Sequence, residues 1–218
     1  RFEWQADWLS AHPDFDAVAS GFCTIDARGR HVSNMAMDEP AGEITEELRG
    51  GRTRTHFCSF ATRKTLLDAI GGSRPWFQIA EDIDLQLRLA SAGRIWYEPK
   101  VTYRYRVHEA SITHRAASTR RQFEDAAARR FSKQRQISGT DDLMRGKPPE
   151  EPVAASCGTA AAPQIQGMLI GRAWRQHRAG EWSRALATGG RAWRVRPTAW
   201  RAWRTLAALL VSRPGGSH

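Results

Sequence analysis

AEDIDLQLRLASAGRIWYEP, residues 80–99, is the stretch that decides the fold. Three carboxylates open it, and apolar side chains then mix with polar ones up to Gly93. The periodicity allows a helix or a strand, but the length and the Leu- and Ala-rich composition favour a helix over 81–92 that ends at Gly93. Ile95 to Tyr97 then reads as a strand. A helix followed directly by a strand predicts an α/β fold.

Helices and strands are also predicted on both sides of this stretch. Apolar spacing, turn residues and double glycines mark where each element begins and ends. In chain order we predict a helix around Trp4 to Leu9, a strand over 15–22, a turn at 26–29, an acidic surface segment over 36–52, an apolar run over 56–61, a helix over 64–70 stopped by Gly71 and Gly72, and a strand over 101–107.

Composition divides the rest of the chain. Residues 115–137 have a charged helical pattern, and residues 139–163 are rich in Pro, Gly, Ser and Ala, which is typical of a flexible linker. Beyond the linker, apolar residues recur at helical spacing with breaks at Gly180 and Pro197, which predicts two or three short helices. We therefore divide the chain into 1–115, a helical extension at 116–138, a linker at 139–163 and a basic helical tail at 164–213.

Charge and cysteine content limit the class of protein. The 218 residues are 41% hydrophobic and 26% charged, which is typical of a globular protein. The net charge of +10 comes mostly from the tail, where residues 165–213 hold ten arginines and one glutamate. The three cysteines form no CxxC pair, which argues against a disulfide framework or a cysteine zinc site. With no apolar run of roughly 18 to 20 residues and no signal segment, we expect a cytoplasmic protein.

Two groups of residues have the types that acid–base chemistry needs. Glu81, Asp82 and Asp84 open the predicted helix, where the helix dipole and free backbone N–H groups favour carboxylates. The structural alternative is therefore an acidic helix cap. Inverting transfer of a sugar needs one carboxylate to accept the hydroxyl proton and cations to stabilise the departing diphosphate. Arg106, in the strand predicted over 101–107, and His108, just after it, can supply the cationic end.

In this order and spacing, the segments resemble the family 2 glycosyltransferases of the GT-A fold. The resemblance covers residues 1–115. It rests on LSAHPDFDAV at 9–18, Phe57 to Arg63, the helix ending at Ile70-Gly71-Gly72, the stretch at 80–99, and YRYRVHEASITH at 103–114. It implies a mixed, mostly parallel sheet with flanking helices and a C-terminal helical appendage. It also implies inverting transfer from a nucleotide-diphosphate sugar to a saccharide or glycolipid acceptor, in the synthesis of cell-surface polysaccharide or glycolipid.

The resemblance assigns the acceptor side to the start of the quoted stretch. Asp82 matches the catalytic base, and Glu81 the residue that orients the acceptor or Asp82. Asp84 is assigned to the acceptor site, more as a brace than as a reacting group. Trp76 is assigned to stacking on the acceptor sugar, with core packing as the alternative.

The resemblance assigns the diphosphate side to the later segment. Arg106, His108 and Ser111 match the family's diphosphate-binding residues, and His108 completes the coordination of a divalent metal, Mn or Mg. The alternatives are a structural or hydrogen-bonding histidine and an arginine paired on a strand face. We expect Asp82 to face Arg106 and His108 across a cleft. The family's DxD metal motif is missing, so we expect it to precede Arg1 in a longer protein, and the chain to be inactive alone.

The tail leaves three alternatives open. In the first, the tryptophans form a core within the tail or dock on the main domain. In the second, the Trp and Arg residues bind an anionic membrane surface. In the third, they bind nucleic acid, but the sequence contains no nucleic-acid-binding motif, which disfavours this alternative. Membrane binding would make the protein peripheral at the inner face of the cell membrane. The alternative functions for the whole chain are a non-catalytic basic module that binds nucleic acid or anionic membrane, and a transferase remnant that serves as a scaffold.

Overall fold

The computed structural model describes residues 1–37, 39–108, 118–150 and 160–212. These residues form two compact units. The first unit holds 1–23, 34–37, 39–105 and 118–150, and the second holds 24–33, 106–108 and 160–212. No helix within the described ranges is long and apolar enough to cross a lipid bilayer.

Helices and strands are interspersed in the chain up to residue 138. The helix at 81–92 is confirmed with both of its ends, but β3 was not predicted and lies in the segment predicted to be a surface excursion. The elements are α1 (Phe2–Ala11), β1 (Ala17–Ile25), β2 (His31–Met35), β3 (Gly42–Glu43), α2 (Thr45–Arg49), a 3-10 turn (Phe57–Ser59), β4 (Ala61–Thr62), α3 (Lys64–Ala69), α4 (Glu81–Ala92), β5 (Ile95–Arg106) and α5 (Ser118–Ser138).

The strands form one five-stranded sheet in which β1 is central. The order is β2-β1-β5-β3, and β4 also pairs with β1. All nine residues of β1 are buried, as expected for a strand that is covered on both faces. The pairing of β4 with β1 is antiparallel, with Ala17 opposite Thr62, and so is that of β3 with β5, with Gly42 opposite Tyr97.

β1 and β5 are the parallel pair in this sheet. The N–H of Ala17, at the start of β1, donates to the carbonyl of Arg94 just before β5. At the other ends, the N–H of Val107 donates to the carbonyl of Ile25. The sheet is therefore mixed, as expected, but the prediction that it is mostly parallel was wrong. A short turn joins β1 to β2, whereas helices lie between the members of the β1–β4, β3–β5 and β1–β5 pairs.

The core of the first unit is formed by α4, the sheet and α5. Its fully buried members include Leu87 and Leu89 of α4, Tyr97 of β5 and Phe131 of α5. The segment 36–52, which the sequence predicts to be a surface excursion, also contributes. Its Ile44 and Leu48 are fully buried because α2 places them, four residues apart, on one helix face.

Two predicted boundaries differ in the structure. The strands predicted at 95–97 and 101–107 are one continuous strand, β5, that includes Pro99. Proline is tolerated there because β3 pairs only with Trp96 and Tyr97, so within the described residues it removes no ladder hydrogen bond on that side. Residues 139–146, placed in the linker, form turns in which Asp141 is fully buried.

The second unit contains three helices, as the tail pattern predicts. They are α6 (Ala161–Arg178), α7 (Trp182–Val195) and α8 (Trp200–Val211), separated at Gly180 and Pro197. α6 begins at Ala161, inside the predicted linker. Pro163 does not prevent this, because proline is tolerated in the first turn of a helix. Leu169 and Ala192 pack on Val32 of β2, and a second cluster joins the three helices.

Candidate active site

The start of α4 is held by a buried glutamate of α5. No side chain caps the helix at Ala80. Instead, the carboxylate of Glu124 accepts the backbone N–H groups of Gln78, Ile79 and Ala80 at 3.0, 2.8 and 3.0 Å, and it pairs with Arg120. Burial by itself would raise the pKa of Glu124, but the three N–H groups and the guanidinium outweigh it and lower the pKa. The first turn of α4 therefore has a fixed direction.

Asp84 is fully buried in an ion-pair network. Its carboxylate pairs with Arg74 and, at 2.9 Å, with Arg88 one turn along α4. Arg74 also contacts Asp141 at 2.7 Å, and Arg135 contacts the same carboxylate at 2.5 Å. The prediction that Asp84 contacts the acceptor is therefore corrected. The side chain has no exposed surface, and its oxygens are paired with guanidinium groups. It braces α4, the other role that the sequence suggested.

Asp82 differs from Asp84, although the two carboxylates are two residues apart. Its side chain is 26% exposed, and its Oδ2 lies 3.6 Å from Nε2 of His56. Burial raises the pKa of Asp82 above the ordinary aspartate value, and this effect outweighs His56 and the backbone N–H of Ile83, which lower it. A partly exposed carboxylate with a raised pKa is suited to accept a proton near neutral pH.

His56 is oriented by its backbone surroundings and by two rings. The N–H of Cys58 donates to Nδ1 of His56 at 3.4 Å, so the neutral ring carries its proton on Nε2, toward Asp82. The rings of Tyr105 and Phe22 lie 5.1 and 5.9 Å from the imidazole. His56 is therefore held beside Asp82, and the carboxylate stays partly exposed.

Glu81 lies beside Asp82 in the same helical turn. Partial burial raises the pKa of Glu81, and the negative charges of Asp82 and Glu124 raise it further. The negative charge of Asp82 therefore disfavours the ionisation of Glu81. The role of Glu81 in orienting a hydroxyl near Asp82 stays a prediction.

Cys58 carries a thiol, a group that can act as a nucleophile, near Asp82 and His56. Burial raises the pKa of its thiol to about 12, with a further contribution from Asp82. Burial therefore disfavours the thiolate form of Cys58 at neutral pH.

Trp76 lies against the core side of the loop before α4. Its ring centre is 4.9 Å from that of Phe77 and 5.9 Å from those of Phe123 and Phe131. These contacts fit the core-packing alternative. The ring is only partly buried, so stacking on an acceptor sugar stays a prediction.

Arg106 and His108, which are predicted to bind diphosphate, belong to the second unit. The guanidinium of Arg106 donates to the carbonyls of Asp26 and Ala27 at 3.2 and 3.0 Å, in the turn between β1 and β2. His108 lines a cleft of about 490 Å³ together with Arg28 and other residues of that unit. Ser111 lies outside the described residues. The prediction that Asp82 faces Arg106 and His108 stays a prediction.

A divalent metal is implied by the resemblance. Nowhere in the described ranges do three His, Cys, Asp or Glu side chains converge as metal ligands would. His108 as a metal ligand stays a prediction.

Sequence reasoning missed His56 and Glu124. His56 begins an apolar run and has no chemical partner nearby in the sequence, so no local signal marks it. Glu124 carries a weak signal: it is an acid on the helix face that Phe123, Ala127 and Phe131 otherwise make apolar. An acid in such a position needs a buried partner.

Comparison with known proteins does not assign a family. No protein-family model matches this sequence, and no curated protein is significantly similar to it. The resemblance to family 2 glycosyltransferases therefore rests on the quoted segments.

Proposed function

We propose that the chain carries the acceptor side of an inverting glycosyltransferase, with Asp82 as the catalytic base. The observation that carries the proposal is the contrast among the acids around α4. Asp84 and Glu124 are buried and bonded to cations or N–H groups, whereas Asp82 is partly exposed, has a raised pKa and faces a histidine. A general base needs this accessibility and this pKa direction.

In the proposed reaction, an acceptor hydroxyl donates its proton to a carboxylate oxygen of Asp82. The acceptor oxygen forms a bond to the anomeric carbon of the sugar from the face opposite the leaving group. The bond from that carbon to the diphosphate oxygen breaks at the same time, and the nucleoside diphosphate leaves with the electron pair. One displacement inverts the anomeric configuration.

The histidine and the second carboxylate have supporting roles. The pKa of Asp82 is raised by burial, which makes the carboxylate more basic, and His56 partly opposes this rise. Glu81 accepts a hydrogen bond from the acceptor and positions the hydroxyl. Both are positioning residues, since the proton goes to Asp82.

The other parts of the proposal come from the resemblance. Arg106, His108 and Ser111 are proposed to bind the diphosphate of the donor. A divalent cation, Mn or Mg, would neutralise the diphosphate when it is bound, and the steps given for Asp82 do not depend on it. The proposed acceptor is a saccharide or glycolipid of the cell envelope, and the proposed location is the cytoplasm.

The proposal is tested in the longest reading frame that encodes these residues. The purified protein is offered a panel of nucleotide-diphosphate sugars with saccharide acceptors, and the anomeric configuration of any product is read by NMR. We expect inversion, and we expect Asp82→Asn to lower kcat by about a hundredfold or more. Asp68→Asn, an exposed acid on α3, is the matched control and should keep full activity. Retention of configuration, or an active Asp82→Asn protein, would refute the proposal.

A further inference from the structure

Helix α8 carries apolar side chains on two opposite faces. One face packs within the second unit through Ala202, Thr205 and Leu209, which are at most 7% exposed. At 3.6 residues per turn these three lie within about 60° of the helix circumference. The helix is therefore anchored within the unit by this face.

The opposite face presents large apolar side chains to solvent. At the same helical spacing its members fall within about 100° of one another. We call them the exposed stripe of α8, and they are Trp200 at 63%, Trp203 at 55%, Leu210 at 61% and Val211 at 85% exposed. A contiguous exposed apolar surface of this kind marks an interaction site more often than an accident of packing.

Hydrogen bonds and ring contacts fix the tryptophans of the stripe. The indole N–H of Trp203 donates to the carbonyl of Pro197 at 2.8 Å, and its ring meets that of Trp193 at 5.3 Å. The guanidinium of Arg204 lies 4.7 Å from the ring centre of Trp200. The rings are therefore held in place with apolar surface outward, and little side-chain entropy is lost on binding.

The stripe is bordered by positive charge that lacks a counter-charge. Residues 160–212 contain nine arginines and one acid, Glu181, which pairs with Arg184 at 3.2 Å. Arg201 and Arg204 follow the stripe along one margin of α8, and no carboxylate within the described residues pairs with either. A partner for this surface therefore needs negative charge next to an apolar layer.

Positive charge is also in excess where α6 meets α7. Burial lowers the pKa of Arg172, and repulsion from Arg191 and Arg175 lowers it further. The single acid Glu181 opposes this only in part, so the cluster keeps an excess of positive charge, which favours an anionic partner.

We propose that the exposed stripe of α8 binds the surface of an anionic lipid bilayer. Trp200 and Trp203 lie at the level of the headgroups, Leu210 and Val211 reach the acyl boundary, and the bordering arginines contact lipid phosphates. The helix lies in the plane of the interface and does not span the bilayer.

Two other partners fit the surface less well. In a two-fold contact between copies of the chain, the same face meets itself, so Arg201 and Arg204 of both copies come together and repel. Nucleic acid offers phosphates, but Leu210 and Val211 extend the stripe with aliphatic groups that do not stack on bases. A bilayer surface satisfies both the apolar and the cationic parts.

The full chain is tested by co-sedimentation with vesicles of phosphatidylcholine alone and of phosphatidylcholine mixed with phosphatidylglycerol. We expect binding to the mixed vesicles that weakens with added salt. The double variant Trp200→Gln with Leu210→Gln should lower the partition coefficient by about tenfold or more. The matched control is Ile137→Gln, an 87% exposed apolar residue of the first unit, which should bind as the unmodified chain does.

The charge of the border is tested separately. Arg201→Gln should weaken binding roughly fivefold, and Arg204→Gln should do the same. Arg201→Lys should keep most of the affinity, because the charge is retained. Far-UV circular dichroism checks that each variant keeps its helices, since all of the changed side chains are exposed.

Several outcomes would overturn the inference. One is no binding, or equal binding to neutral vesicles. Another is a dimer of the free chain in sedimentation velocity that the Trp200→Gln and Leu210→Gln changes dissociate, since the stripe would then be a contact between copies. A third is binding to a single-stranded oligonucleotide that these changes abolish while vesicles are not bound. The inference concerns the second unit and does not depend on the function proposed for Asp82.

Discussion

Nε2 of His56 lies 3.6 Å from Oδ2 of Asp82, which is close enough for charge interaction but too long for a direct hydrogen bond. The carboxylate is therefore influenced by the ring and still free to take a proton from another group. Asp84, two residues further along α4 and on its buried side, is paired with Arg74 and Arg88. The same helix thus carries one acid that supports the fold and one that is available for chemistry.

The first prediction concerns the pKa of Asp82. Because burial raises it and His56 partly lowers it, the carboxyl should titrate above the ordinary value of 3.8, and His56→Gln should move it higher still. Carboxyl carbon chemical shifts followed by NMR through a pH titration measure both values. His12→Gln, a change in the turn after α1, should leave the titration unaltered. A lower pKa in the His56→Gln protein would contradict the account.

The second prediction concerns the buried network around Asp84. Asp84→Ala leaves Arg74 and Arg88 buried without their carboxylate, and it should lower the free energy of unfolding by about 3–5 kcal/mol. Urea denaturation measures this difference. Asp68→Ala, which removes the exposed pair with Lys64, should cost less than about 1 kcal/mol. Equal effects of the two changes would show that the network does not stabilise α4.

The third prediction concerns the pH dependence of the contribution of Glu124. Its pKa in the folded state is lowered from 4.5, so its stabilisation is complete above that pH and is lost as the pH falls through the folded-state pKa. Glu124→Gln should cost about 2 kcal/mol or more at neutral pH, and the difference from the unmodified chain should shrink below pH 4.5. Glu3→Gln, at an exposed position of α1, should change stability by less than about 0.5 kcal/mol at either pH.

The fourth prediction concerns the close approach at Gly93. A Cβ there would lie 2.7 Å from Oδ2 of Asp16 and 2.8 Å from Cδ2 of Leu66. The same Asp16 oxygen accepts the N–H of Arg94 at 2.9 Å, so the clash also disturbs the start of β5. Gly93→Ala should lower the unfolding free energy by about 1–3 kcal/mol. Gly42→Ala, where a Cβ meets no atom within 4 Å, is the control, and thermal unfolding of both variants gives the comparison.

Much of the secondary structure could be predicted from the sequence, because its signals are local. The spacing of leucines and the glycine at 93 mark α4, and glycines with positive φ at 29, 71 and 72 mark turns that the sequence also indicates. The burial of Ile44 and Leu48 could not be predicted, because acids surround them in the sequence and only the position of α2 against α4 covers them.

The candidate site could be predicted only in part, because some of its signals are local in the sequence and others depend on the tertiary fold. Asp82 and Glu81 stand in a recognisable cluster at a helix start, but nothing in the cluster tells which acid is buried. That depends on Arg74 and Asp141, ten and 57 residues from Asp84. His56 and Glu124 reach the site from distant segments, so their roles depend on the tertiary fold.

The pH dependence of sugar transfer is the measurement that tests Asp82 as the base most directly. Single-turnover rates of the unmodified protein should fall as the pH decreases through the pKa of Asp82, because only the ionised carboxylate accepts the hydroxyl proton. In Asp82→Asn the rate should be at least about a hundredfold lower and should no longer follow that titration. An Asp82→Asn protein that keeps the same acid limb and the same rate would contradict the account.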